Sequence, residues 1–322
     1  MSIILDSCQS RTKIHLAALL PLFFIVSYVL LNYYTEGDQI HYHRFYEALK
    51  YSEFSDVPSL AVAMVSSREI ISPYLLWVGA SLGIDKNIYI SALNVILLSG
   101  VYLLLRKNNV SWLVVILILT NFYTVVLLTS AERLKIAFIL VTYGVYFSGW
   151  VRNILLFFSP MAHFQALLFF PSIIFNVLEK DVKSFFMRFT IRKSSFRVVM
   201  AAMVPFFFMA LFFWDGVFTK ISWYVNRDTS VFELANILIL SIVAVLATKH
   251  KLRILMILLP FYPMIALLGG IRVNMLAVVA VIYFLMVEKK LNHPAMVALL
   301  IYFSFKSIPF VHNVIVYGNG FA

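Results

Sequence analysis

Apolar runs long enough to cross a membrane recur along this sequence, with short basic blocks between them. The first covers His15–Asn32, and Ile88–Leu105 and Val110–Leu128 lie on either side of a basic turn. A helix needs about 20 apolar residues to cross the hydrocarbon core, so each run predicts a transmembrane helix. Hydropathy counting gives about ten or eleven of them, some broken or only partly inserted. The predicted fold class is an all-α, polytopic integral membrane protein.

Composition excludes most soluble alternatives. Of the 322 residues, 62% are hydrophobic, and the mean hydropathy is +0.91. The net charge of +11 comes from lysines and arginines grouped between apolar runs, which is typical of cytoplasmic loops and not of a nucleic-acid interface. The single cysteine, Cys8, excludes an internal disulfide and leaves no cysteine-based metal motif. The first run lacks a small-residue cleavage site, so we expect a retained helix and not a signal peptide.

The basic blocks predict an orientation. Arg11 and Lys13 precede the first run, which places the N-terminus in the cytoplasm. Four further basic segments are predicted to be cytoplasmic, namely 106–109, 179–197, 248–253 and 288–293. Four polar segments are predicted at the outer face, namely 35–69, 129–135, 215–230 and 269–272. Residues 1–322 are expected to form a single membrane domain.

Two apolar segments do not fit simple spans. Ile70–Ile84 is short and contains Pro73, which predicts a partly inserted or interfacial helix. Ile154–Leu178 is interrupted at Ser159-Pro160, so it is either one kinked span or a re-entrant pair of helices.

Charges at the membrane boundary are the first candidates for function, because ionisable groups at this depth are costly. Glu132, Arg133 and Lys135 lie between two apolar runs. Arg133 at an outer helix start predicts a phosphate clamp, since guanidinium forms a bidentate fork with phosphate oxygens. The alternative is an interfacial arginine that pairs with Glu132 or extends to lipid headgroups. Glu132 and Lys135 are interpreted as structural neighbours.

Asp38, Tyr42 and Tyr46 recur at every fourth residue, which places a carboxylate and two phenols on one side of a helix. This pattern predicts a sugar-binding platform. The alternative is a helix at the lipid headgroups, where tyrosine is common. His41 and His43 lack further ligands, so no metal site is predicted.

Four more residues are site candidates. His163 lies in an apolar stretch, where a neutral imidazole can exchange a proton near neutral pH; a packing histidine is the alternative. Glu69 precedes an apolar helix, and its alternative role is a helix cap. Arg272 follows two glycines and resembles Arg133 in placement, and Arg227 lies in an outer segment.

Several of these residues occur in short motifs whose order is informative. The motifs are Asp38-x-x-x-Tyr42-x-x-x-Tyr46, Arg68-Glu69, Glu132-Arg133-Leu-Lys-Ile-Ala137, Ala162-His163-Phe-Gln-Ala166, and Arg272 ahead of Tyr283-Phe284. Together they resemble the EpsG family, the Wzy-like polymerases of bacterial exopolysaccharide, capsule and O-antigen. The resemblance is strongest over residues 30–175. The chain departs from the family pattern at Leu134-Lys135, where glutamine is usual, and at Gln165, where serine is usual.

The resemblance implies a glycosyltransferase without metal or cofactor, in the bacterial inner membrane with its site facing the periplasm. It would transfer the growing glycan from undecaprenyl diphosphate onto the next lipid-linked repeat unit. Arg133 and Arg272 would hold the diphosphate, and His163 or Glu69 would deprotonate the acceptor hydroxyl. The segment with Asp38, Tyr42 and Tyr46 would hold the sugar. Expected partners are the lipid-linked oligosaccharide, membrane lipid and a separate chain-length regulator.

Two other functions share some of these features. An O-antigen ligase would use the same lipid diphosphate donor, but such proteins carry a larger late outer loop than 215–230. A transporter or flippase of lipid-linked oligosaccharide would place charges at the membrane midplane and show a two-fold hydropathy repeat. The sequence shows no such repeat, and its informative charges lie near one predicted face.

Overall fold

The computed structural model describes residues 2–170, 231–268 and 270–322, and every regular element in these ranges is helical. The chain divides into two compact units, residues 1–163 with 300–322, and residues 164–299. The helices of residues 2–163 are α1 Ser2–Tyr33, α2 Asp38–Leu49, α3 Val57–Val65, α4 Ile71–Ser81, α5 Lys86–Lys107, α6 Trp112–Thr120, α7 Phe122–Ser130, α8 Glu132–Tyr146 and α9 Gly149–Ala162. The later helices are α10 Val231–Ala247, α11 Lys251–Leu258, α12 Phe261–Leu268, α13 Gly270–Val287 and α14 Pro294–Tyr317.

Three of the described helices are long and apolar enough to cross a membrane. They contain the stretches Ile14–Tyr33, Lys86–Lys107 and Pro294–Tyr317, and a fourth span results if the bent pair α6–α7 crosses as one unit. Large apolar side chains on the first stretch, such as Ile25 at 59% exposure, face outward from the fold. A lipid-facing helix has this pattern. The described part of the chain therefore agrees with the prediction of an all-α membrane protein and contains three or four candidate membrane-spanning helices, whereas the count of ten or eleven spans stays a prediction.

The predicted span Val110–Leu128 consists of two helices with a break at Asn121, which the sequence pattern did not predict. The helices α6 and α7 meet there at an angle of 45°. The backbone of Asn121 is extended, and its side-chain oxygen accepts a hydrogen bond from the Thr124 N–H at 3.0 Å. Its amide donates to the carbonyl of Ile118. Asn121 thus caps both helix ends, which makes the break stable without water.

The predicted interruption at Ser159-Pro160 is absent, because α9 continues through Pro160 to Ala162. A proline inside a helix leaves the carbonyl four residues earlier without its usual donor. The Ser159 hydroxyl donates to that carbonyl, on Leu156, at 2.8 Å. The helix ends instead at Ala162, and the backbone of the next residue, His163, is extended. A 3₁₀ helix follows over Phe164–Phe169, and residues 171–178 of the predicted segment lie outside the described residues.

The predicted outer segment 35–69 is largely helical. It contains α2, a 3₁₀ turn at Phe54–Asp56, and α3, which has proline in its first turn and ends at Ser66 in the left-handed conformation. Its last residues, 66–69, form the irregular connection to α4. The helix α4 has only 11 residues, in agreement with the short helix expected between residues 70 and 84.

The second unit is described in part. The sequence predicted a turn at the outer face over residues 269–272. Gly270–Arg272 instead belong to the first turn of α13, so this part of the prediction was wrong. The predicted basic loop 248–253 is shorter than expected because α11 already begins at Lys251. The connection between α13 and α14 agrees with the predicted segment 288–293. The predicted segments 179–197 and 215–230 lie outside the described residues.

Candidate functional site

Glu69 is the centre of a polar cluster built from three distant parts of the first unit. It lies in the irregular connection between α3 and α4, where its carboxylate is 5% exposed. The Ser67 hydroxyl donates to Glu69 Oε2, and the Glu69 N–H is 3.3 Å from the same hydroxyl oxygen. The cap residue of α4 is Ile70, and this helix start has no side-chain cap hydrogen bond. The interpretation of Glu69 as a helix cap is therefore wrong.

Arg133 forms an ion pair with this carboxylate. Its Nη1 is 2.6 Å from Glu69 Oε2, and its Nε donates to the Tyr42 hydroxyl at 2.8 Å. Arg133 lies in the first turn of α8, where the helix dipole disfavours a cation. The carboxylate compensates for this unfavourable position. The Arg133 side chain is 12% exposed.

His163 approaches the other carboxylate oxygen of Glu69, with Nδ1 2.9 Å from Oε1. Two hydrogen bonds to backbone carbonyls hold the end of α9 against the start of α4. The Ile70 N–H donates to the Met161 carbonyl at 3.1 Å, and the Ser72 hydroxyl donates to the Ala162 carbonyl. These contacts satisfy carbonyls at the end of α9 and bring His163 next to Glu69.

The contact with Glu69 determines which nitrogen of His163 can accept a proton. An ionised carboxylate only accepts hydrogen bonds, so a neutral His163 that donates from Nδ1 to Glu69 has its basic lone pair on Nε2. A carboxylate that orients an imidazole in this way also stabilises the imidazolium formed on proton uptake. Arg133, which is permanently positive, pairs with the second oxygen of Glu69. We call Tyr42, Glu69, Arg133 and His163 the site cluster.

The other two members of the predicted sugar platform lie elsewhere. Asp38 is exposed at the first position of α2. Tyr46 is 1% exposed and donates to the Ile84 carbonyl at 3.2 Å. Its ring packs near Tyr89, and a Cβ on Gly79 would lie 2.6 Å from the Tyr46 hydroxyl oxygen. The prediction that both phenols face a sugar thus differs from the structure, in which Tyr46 is a packing residue.

Two predicted arginines remain. Arg272 lies in the first turn of α13 in the second unit, and Arg227 lies outside the described residues. Of the eight residues predicted for the site, the structure therefore brings together Tyr42, Glu69, Arg133 and His163.

A second buried polar cluster surrounds Glu132, the neighbour of Arg133. Glu132 Oε2 is 2.9 Å from Lys135 Nζ, and Glu132 Oε1 is 3.6 Å from Lys86 Nζ. The Gln39 amide donates to Glu132 Oε1 at 2.9 Å, and Lys86 donates to the Gln39 side-chain oxygen. We call Gln39, Lys86, Glu132 and Lys135 the anchoring cluster. Sequence reasoning missed Gln39 and Lys86, although a lysine that opens the apolar run Lys86–Lys107 is a usable signal.

Neither a metal-binding group within the described part of the chain nor similarity to known proteins adds to this description of the site. Among the residues that the structure describes, no group of three or more histidine, cysteine, aspartate or glutamate side chains is placed to hold a metal ion. No protein-family model, curated protein or solved structure matches this chain.

Proposed function

We propose that this protein is a Wzy-like polysaccharide polymerase of the bacterial inner membrane, with its site facing the periplasm. It transfers the growing glycan from undecaprenyl diphosphate onto a lipid-linked repeat unit. The observation that carries the proposal is the convergence of Glu69, Arg133 and His163, which come from three separate motifs of the EpsG-like pattern. The membrane-spanning helices supply the setting that a lipid-linked substrate requires.

In this proposal Arg133 stabilises the leaving group. The acceptor hydroxyl oxygen attacks the anomeric carbon, a new glycosidic bond forms, and the bond from that carbon to the diphosphate oxygen breaks. Negative charge then develops on undecaprenyl diphosphate. A guanidinium in the first turn of a helix adds its charge to that of the helix dipole, so both favour this anion.

His163 is the base that accepts the proton of the acceptor hydroxyl. Both oxygens of Glu69 are already engaged, Oε1 with His163 and Oε2 with Arg133 and Ser67. Glu69 is therefore the residue that orients the imidazole and stabilises its charged form. This assigns the base between the two candidates that the motifs leave open.

Tyr42 is proposed to hold Arg133 in position and to border the sugar. Its hydroxyl accepts the Arg133 Nε–H, while Arg133 Nη1 pairs with Glu69. Asp38, Arg227 and Arg272 keep their proposed roles in substrate binding, and a separate chain-length regulator is the proposed protein partner. No nucleic acid, metal or cofactor takes part in the proposed reaction.

The proposal is tested in cells that lack the gene and are complemented with wild type, Arg133→Ala or Arg152→Ala. Arg152 is exposed on α9, so it controls for loss of an arginine. Surface polysaccharide is then separated on a gel. Wild type and Arg152→Ala should give a ladder of chain lengths, and Arg133→Ala should give a single repeat unit with normal protein levels.

Other outcomes contradict the proposal in different ways. Lipid A core without any repeat unit in the deletion strain favours ligation or flipping over polymerisation. A wild-type ladder from Arg133→Ala removes the role of Arg133. An unchanged ladder in the deletion strain removes the protein from this pathway.

A further inference from the structure

The anchoring cluster lies at the break between α7 and α8. The helix α7 ends at Ser130, and Ala131 has φ −125° and ψ 63°, which interrupts the helical path. In a continuous helix the carbonyls of Leu128 and Thr129 would accept from the N–H groups four residues later. The break removes these partners in a buried region, where an unsatisfied carbonyl is costly.

Side chains of the anchoring cluster supply the missing donors. Lys135 Nζ donates to the Leu128 carbonyl at 3.0 Å, and the Gln39 amide donates to the Thr129 carbonyl. Asn94 gives the Leu128 carbonyl a second donor at 2.9 Å. The same lysine and glutamine also bind Glu132, the first residue of α8. The break is thus closed by side chains from α2, α5 and α8.

Burial of the charged side chains in the anchoring cluster is costly in free energy. Glu132 and Lys135 are 0% exposed and Lys86 is 3% exposed. Two ammonium groups and one carboxylate leave a formal excess of one positive charge in this buried region. Apolar residues of similar volume would often be as stable as such a group. Buried charges that fix one geometry are instead suited to a site that needs a precise helix direction.

We propose that Gln39, Lys86, Glu132 and Lys135 are positioning residues that fix the first turn of α8, and with it the direction of Arg133. Glu132 and Arg133 are consecutive in the sequence, one bound to the anchoring cluster and the other to Glu69. The helix α2 contributes Gln39 to the anchoring cluster and, one turn later, Tyr42 to Arg133. One buried network therefore sets two members of the site cluster.

The structural part of the inference is tested without any enzyme assay. Thermal unfolding in detergent is measured for wild type, Arg133→Ala, Lys135→Met and the double variant. Arg133→Ala should lower Tm by about 2–4 °C in the wild-type background. In the Lys135→Met background the same change should lower Tm by less than about 1 °C, because Arg133 no longer meets Glu69 in a fixed geometry.

Lys107→Met is a matched control. Lys107 Nζ donates to the Tyr146 carbonyl at the end of α8, at 2.8 Å, but the contact is exposed. The effect of Arg133→Ala should be unchanged in this background. Equal effects of Arg133→Ala in the Lys135→Met and Lys107→Met backgrounds overturn the inference. If Lys135→Met does not fold, Gln39→Ala replaces it, with the same pattern expected.

The catalytic part rests on the proposed function and is read from polymerisation per folded molecule. Lys135→Met should lower kcat by about 10- to 100-fold with little change in KM, and Arg133→Ala by about 100- to 1,000-fold. The double variant should be within about two-fold of Arg133→Ala. Additive losses, or an unchanged rate in Lys135→Met, overturn the positioning role. Full activity of Arg133→Ala overturns the proposed function. The thermal unfolding experiment still tests the structural part of the inference separately.

Discussion

Two neighbouring residues, Glu132 and Arg133, belong to regions of opposite character. Glu132 lies in the anchoring cluster, where the charged side chains are at most 3% exposed and every member lies on a helix. Arg133 lies in the site cluster, where its side chain is 12% exposed. Two other members of that cluster, Glu69 and His163, lie in irregular backbone next to helix ends. Both clusters contain charge pairs, but only the site cluster leaves a charged side chain partly exposed.

The difference shows how this fold separates stability from chemistry. A charge buried on helices is held in place by its neighbours, and removal of one partner leaves an uncompensated charge. A charge on a helix end or a short connection can contact a substrate, provided that other residues keep its position. The clusters share α2 and α8, so the anchoring cluster holds the helices that carry Tyr42 and Arg133.

The largest expected effect is the loss of the carboxylate in the anchoring cluster. Glu132→Ala leaves the Lys86 and Lys135 ammonium groups buried without their counterion, so we expect a loss of about 3–5 kcal/mol in unfolding free energy. Thermal unfolding and the folded fraction in size-exclusion chromatography measure it. Glu47→Ala, which removes only an exposed pair with Lys50, should change neither. If both variants are equally stable, the distinction between buried and exposed charge pairs fails.

The next prediction compares two tyrosines one turn apart on α2, and its expected effect is smaller. Tyr42→Phe removes the acceptor of the Arg133 Nε–H, and hydrogen bonds to charged groups contribute about 1.5–3 kcal/mol, or a rate loss of about 10- to 100-fold. Tyr46→Phe removes a bond to the Ile84 carbonyl and should leave the rate unchanged, with a stability loss of about 1 kcal/mol. Polymerisation rate and Tm of both variants separate these roles. Equal rate losses would place Tyr46 in the site after all.

The smallest effect is a pH dependence that reports on the anchoring cluster. The pKa of His43 is lowered from 6.5, first by burial and then by the Lys86 ammonium, although Glu132, Asp85 and Glu47 act in the opposite direction. The unfolded state therefore binds the proton more readily, and stability falls as the pH drops below about 6.5. Above about pH 7 the histidine is neutral in both states and has no effect.

Comparison of Tm between about pH 5 and 8 for wild type and His43→Gln tests this effect. The variant should lose part of the decline on the acid side and match the wild type above pH 7. Superimposable curves over the whole range would mean that the charges near His43 do not act as the structure indicates.

Much of the architecture is predictable from local sequence. The apolar run Ile88–Leu105 predicted α5 closely, and the Arg133 motif was correctly placed at a helix start. The run His15–Asn32 predicted only the apolar part of α1, Ile14–Tyr33, because the helix itself already begins at Ser2. The break at Asn121 was not predicted, because asparagine within an apolar run gives no strong signal until its side chain is seen to cap both helix ends. Pro160 gave a misleading signal for the opposite reason, since the Ser159 hydroxyl replaces the missing donor.

The candidate site was predictable in its members but not in its contacts. Glu69, Arg133 and His163 could be selected one by one because charge and imidazole are unusual at the membrane boundary. Their pairing depends on tertiary contacts across 64 and 94 residues of sequence, which no local pattern encodes. The same limit hid the contact of Lys86 with Glu132, and it left Tyr46 indistinguishable from Tyr42.

The most direct test of the central claim is the reaction of the purified protein with a lipid-linked repeat unit. Wild type should release one undecaprenyl diphosphate for each repeat unit added, and Arg133→Ala should slow both by at least about 100-fold while its Tm stays within a few degrees of wild type. Equal rates for the two proteins, or no elongation by folded wild type, would contradict the account.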